Sequence, residues 1–187
     1  MNFRKQTIAL SSNTNPKPLG RRSNLDPSSR LDLTGEATRS WFKGQTSRPV
    51  YALIIGINNY LNLPKLRGAV NDADALSEYL KTDLQVPQEN IIDIRDEYAT
   101  RAEIRRALRA LSRRHRKEAS IVMYFAGYGS ANPNIPGIQT IIPVDYSDNS
   151  ANPIPPVTAD ELLSYVNEIK RKKGDSIVRG SFLLGLA

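Results

Sequence analysis

From Val50 onward the chain alternates short, unbroken apolar runs with stretches in which apolar residues recur every three or four positions. The runs read as buried strands: Tyr51 to Gly56 (YALIIG), Asn90 to Ile94, Ile121 to Phe125 (IVMYF), and a shorter arm between Ile138 and Val144. Between them lie helical stripes. Ala73, Leu76 and Leu80 form one, with Asn71 as its expected N-cap and Asp72 and Asp74 as first-turn acids. Ile104, Ala107, Leu108 and Leu111 form the second, opened by the capping box Thr100/Glu103. Leu162, Leu163, Val166 and Ile169 form the third, opened by Thr158/Glu161. Strands alternating with amphipathic helices predict an α/β fold with a mostly parallel sheet between helical layers.

Residues 1–49 have no such period and are rich in Ser, Asn, Pro, Arg and Gly, so they read as a disordered basic leader in which only Trp41-Phe42 is sticky. Nine Lys/Arg and three acids lie there, which accounts for most of the formal net charge of +7. The basic pI therefore describes the leader, and residues 50–187, the expected globular domain, give no sign of a specific nucleic-acid partner. Neither a membrane span nor a secretory signal is legible, and the expected compartment is the cytoplasm, with the nucleus as an alternative. The chain contains no cysteine, which excludes disulfides, thiolate metal sites and a thiol nucleophile within it.

Chemistry concentrates where the run Ile121 to Phe125 empties into Gly127-Tyr128-Gly129-Ser130, because side chains leaving the carboxyl end of a parallel strand face the crevice between loops. Tyr128 stands between the two glycines. Ser130 has no identifiable base, and His115, the single histidine, falls in the basic run Arg113 to Lys117, where a solvated side chain is expected. A flavodoxin-like phosphate site at Gly127-Tyr128-Gly129 or Gly56-Ile57-Asn58 is a further alternative, although neither turn has the glycine spacing of such sites.

Four segments in register, YALIIGINNY, LPKLRGAVNDADAL, the Asp96 to Arg101 element and YFAGYGS leading to IIPVDY, resemble the caspase and metacaspase family of cysteine endopeptidases, metacaspase type, from about Val50 to Ile177. The resemblance implies a caspase-like three-layer α/β/α fold with a mostly parallel central sheet, and acyl transfer by a Cys-His dyad. It places Tyr128 at the histidine position and Leu183 or Leu184 near the cysteine position, neither of which supplies that chemistry. It assigns Asp72 to the acid that receives an Arg or Lys side chain of the substrate. Arg67 falls near an arginine that caspases direct at an aspartate. Ala69 replaces a second cysteine common in metacaspases, and Phe182 occupies the area of a second pocket acid.

Calcium, used by many metacaspases, is expected to bind weakly if at all, with Asp160 as a remnant of its ligands. The tail after Ile177 departs from the family, so the later strands are expected to be missing, through truncation or an erroneous gene assembly. Together these features imply an inactive pseudo-peptidase that binds peptides or a partner and pairs with related caspase-like domains. The alternative is a defective version or paralogue of an active endopeptidase cleaving after Arg or Lys.

Overall fold

The computed structural model describes residues 8–9, 49–114, 119–131, 139–173 and 181–185. Strands β1 (Ile8–Ala9), β2 (Val50–Gly56), β3 (Ile91–Arg95), β4 (Ser120–Ala126) and β7 (Ser181–Gly185) form one sheet in the order β1-β7-β4-β2-β3. All its pairings are parallel except β1 with β7. Between β4 and β7 in sequence, β5 (Gly129–Ala131) and β6 (Gln139–Ile141) make a separate antiparallel pair. The helices are α1 (Ala69–Thr82), α2 (Arg101–Arg114) and α3 (Ala159–Lys173).

The two faces of the sheet follow from the period of two along each strand. Ile121, Met123 and Phe125 of β4, with Leu53 and Ile55 of β2, pack against Ile104, Leu108 and Leu111 of α2 and Leu162 and Ile169 of α3. Val122, Tyr124 and Ala126 share the opposite face with Ala52 and Ile54, beneath Ala69, Ala73, Leu76 and Leu80 of α1. Every residue of β4 is buried, as expected of a central strand covered on both sides. The three-layer α/β/α arrangement follows.

Local signals hold in part. The Thr100 hydroxyl accepts the Glu103 N–H at 3.2 Å, and Thr158 does the same for Glu161 at 3.2 Å, so both predicted caps form. Helix α1 differs from expectation: it starts at Ala69 behind Gly68, without a side-chain cap, which leaves Asn71 inside the first turn and Asp74 beyond it. Tertiary packing explains the earlier start. A Cβ on Gly56 would lie 2.7 Å from the Ala73 Cβ and 2.9 Å from the Ala69 carbonyl oxygen, so the bare glycine lets the first turn of α1 rest directly on the end of β2.

The terminal segment adds one strand to the sheet. Backbone from Ser181 to Gly185 pairs with β4, bringing Leu183 opposite Tyr124 and Leu184 opposite Phe125. Ile8–Ala9, read from the sequence as disordered leader, pair with that strand from its other side. Trp41-Phe42, His115 and the stretch from Gly174 to Gly180 lie outside the described residues. Among the described residues, no helix is long and apolar enough to cross a membrane.

Candidate functional site

At the carboxyl end of β4, the backbone of Tyr128 is held on both sides. Its N–H donates to the Tyr60 hydroxyl at 2.8 Å, and its carbonyl accepts the Ile142 N–H at 3.0 Å. The Tyr60 hydroxyl in turn donates to the Ile142 carbonyl at 3.3 Å, closing a ring of bonds around the turn. The two tyrosine rings lie 5.0 Å apart at 60°, a tilted aromatic contact. Gly127 makes this possible, since a Cβ there would strike the Tyr60 hydroxyl and lie 2.7 Å from the Phe125 ring. Burial raises the Tyr60 phenol above its ordinary range, so it stays protonated and keeps donating.

The loop carrying Tyr60 is anchored from β3. Asp96, in the left-handed region at φ 39°, accepts the backbone N–H groups of Asn58 and Asn59 at 2.7 and 2.8 Å, and the Asn59 amide at 3.0 Å. Aspartate tolerates that conformation better than most residues, and its short carboxylate reaches the loop without an intervening water. Leu61 N–H donates to the Val144 carbonyl at 3.2 Å, while Val144 N–H donates to Ala99 at 3.0 Å. Three loops thus meet at the carboxyl rim of the sheet. Asp96 was legible in the sequence only as part of a resembling segment, because its partners lie 37 and 38 positions away.

On the α1 side, Asp72 is half-buried in the first turn, and its N–H bonds the Gly68 carbonyl at 2.9 Å. Tyr124 projects from β4 beneath the same helix and is only 2% exposed. Burial pushes its phenol up, the Asp72 carboxylate pushes it further, and the Arg95 guanidinium opposes them. Arg95 is itself engaged, with Nε on Asp74, Nη1 on the Ile54 and Ile94 carbonyls, and Nη2 on Asp93. Arg67, the other predicted binding residue, is exposed on the loop before α1 and has no hydrogen bond or ion pair among the described residues.

Leu183 and Leu184 lie on the strand beside β4, so the backbone that would carry a nucleophile runs next to Tyr124 and Phe125, but it carries leucines. Ser130 lies in β5, paired with Thr140. The glycine turn therefore opens onto a strand, which removes the helix N-terminus that a flavodoxin-like phosphate site requires.

The calcium reading can be tested against the acids at the start of α3. Glu161 meets Arg101 at 3.0 Å through one carboxylate oxygen and Arg105 through the other. Asp160 is exposed beside it. Asp145 is turned to the Arg101 N–H at 2.8 Å. Among the described residues no three His, Cys, Asp or Glu side chains converge as metal ligands. A carboxylate already facing two guanidinium groups does not fit a cation that needs six to eight oxygens, so these residues do not make a calcium site. They make an ion-paired clasp between α2 and α3.

The three-layer α/β/α fold, with a glycine turn at the carboxyl end of its central strand, is consistent with a caspase-type domain. Residues 49–172 match the caspase-domain family, peptidase C14, and the chain belongs to that family. Over 107 aligned residues it is 31% identical to a metacaspase-1A of Aspergillus oryzae, which covers 51% of this chain and 26% of the relative. It is 30% identical to a metacaspase-1 of Coccidioides immitis, covering 51% of this chain and 23% of the relative. A metacaspase-1A of Aspergillus niger shares 29% identity, with 51% and 26% covered. The chain thus spans about a quarter of the length of the curated relatives it matches.

Proposed function

We propose that this caspase-family chain is a pseudo-peptidase domain that holds basic peptide segments at its carboxyl rim without cutting them. The observation that carries the reading is Tyr128. Its phenol stands where the family resemblance puts a base, and its backbone is tied into the Tyr60–Ile142 ring, with no cysteine anywhere in the chain to accept activation. An ordinary phenol is about one part in a thousand ionised at neutral pH and does not shuttle protons as imidazole does. Asp72 supports a binding role, because a half-buried acid on the first turn of a helix resting on the sheet can meet a cationic side chain.

The partners in this reading are peptides or protein segments bearing Arg or Lys, together with related caspase-like domains, and neither a nucleic acid nor a membrane. The working compartment is the cytoplasm or the nucleus, which imaging of the tagged chain tests. Purified protein incubated with peptides carrying Arg, Lys or Asp before the scissile bond should leave them intact and bind the Arg and Lys peptides in fluorescence anisotropy. Turnover that disappears on substituting one residue of this chain would instead establish an active peptidase, and absence of binding to all three would remove the peptide role.

A further inference from the structure

Between β6 and α3 the chain runs Asn152-Pro153-Ile154-Pro155-Pro156-Val157. Proline fixes φ near about −65° and holds the residue before it extended, so most of this stretch is confined before any tertiary contact acts. The turn ahead of it is closed by Asn149, whose side-chain oxygen accepts the Ala151 N–H at 3.0 Å and whose carbonyl accepts the Asn152 N–H at 3.1 Å. Ile154 then exchanges both backbone bonds with Ser147, at 2.9 and 3.1 Å, and Val157 exchanges both with Ile141, at 2.9 Å. The attachment therefore recurs three residues on. A β-strand repeats every two residues, whereas a polyproline II helix turns once in about three.

Burial follows the same period. Val157 is fully buried and Ile154 half-buried, while Asn152, Pro153 and Pro155 are exposed and Pro156 is half-buried. One edge of the helix thus lies on the domain, and the edges Asn152/Pro155 and Pro153/Pro156 are left outside. Among the described residues the carbonyls of Pro153, Pro155 and Pro156 accept no hydrogen bond. Domains that read polyproline II take two successive pairs, each a residue followed by proline, into an aromatic-lined groove and leave the third edge unread. Here the pairs are Asn152-Pro153 and Pro155-Pro156, and the edge left unread is the one that Ile154 and Val157 use to hold the domain. We infer that Asn152 to Pro156 is a docking ligand for a partner protein domain with an aromatic-lined, polyproline-reading groove. Asn149, Ser147 and Ile141 already order the segment, so docking loses little chain entropy. The nearest charges before and after it in sequence, Asp148 and Asp160, are exposed acids, which suits a groove with a basic rim. This surface is separate from the carboxyl rim, and its occupant does not depend on the peptide reading of that site.

The test titrates the full chain, isotopically labelled at proline, with purified SH3 and WW domains whose groove rims are basic, and with the same domains after the groove tryptophan is replaced by alanine. At least one intact domain should bind and shift the Pro153, Pro155 and Pro156 resonances, and its tryptophan variant should not. Pro153→Ala and Pro155→Ala should each weaken that binding about 10-fold or more, since each empties one pocket of the groove. Circular dichroism of both variants should stay that of wild type. Three results overturn the docking role: no domain binds, binding survives loss of the groove tryptophan, or affinity is unchanged in both proline variants. The prolines then only stiffen the loop. Should either variant fold poorly, the labelled wild type decides: shifts confined to the three prolines of this segment support the contact, and shifts at prolines elsewhere in the chain remove it.

Discussion

The backbone N–H of Tyr128 donates to the hydroxyl of Tyr60 across 68 positions of sequence, at 2.8 Å. That bond sets the turn at the end of β4, and the Tyr60 hydroxyl also holds the Ile142 carbonyl at 3.3 Å. One oxygen therefore joins the β2 loop to the glycine turn and to the segment that follows β6.

Tyr60→Phe should accordingly destabilise the domain by about 1–3 kcal/mol, because it leaves the Tyr128 donor and the Ile142 acceptor without their shared partner. Chemical denaturation measures the loss, and hydrogen exchange at the Tyr128 amide should accelerate. Unchanged exchange would show that the bond does not hold the turn.

Gly127→Ala adds a methyl group that meets the Tyr60 hydroxyl and the Phe125 ring. Forcing those groups apart should lower stability by about 1–3 kcal/mol. Combined with Tyr60→Phe, the penalty should shrink, since the colliding oxygen is gone, and a double-mutant cycle reads the coupling directly. Strict additivity of the two substitutions would argue against the close packing seen here.

Glu161→Gln should loosen the junction of α2 and α3, because it removes the charge that faces Arg101 and Arg105 and holds the Arg105 guanidinium protonated. The arginines are partly exposed, so the loss is set at about 1–2 kcal/mol, below that of a fully buried pair. Adding millimolar calcium or a chelator should leave the melting temperature of wild type and of Asp160→Asn where it was. A calcium-dependent rise in wild type that Asp160→Asn abolishes would reinstate the metal site.

The phenols of Tyr60 and Tyr124 are both raised above their ordinary range, mainly by burial. In the unfolded chain they ionise near pH 10, while in the folded chain they remain protonated, so the unfolded state binds fewer protons above that pH. Stability contributed this way is intact below about pH 9 and falls above about pH 10, by about 2.7 kcal/mol per pH unit for two groups. Ultraviolet titration should show both tyrosines ionising only as the fold is lost. Tyr124→Phe should halve the slope.

Periodicity in the sequence already determined the strand and helix alternation, the two-faced core and the caps at Thr100 and Thr158, because these depend on residues within a few positions of one another. The family was legible for a similar reason: its segments are local and occur in order. Tertiary structure alone decided where α1 begins, since the start depends on Gly56 contacting Ala69 and Ala73 rather than on a cap at Asn71. It also decided that Asp96 ties down the β2 loop and that Glu161 faces both Arg101 and Arg105. In each case the partner is distant along the chain, and pattern along a sequence carries no information about which distant groups folding will bring within hydrogen-bond reach.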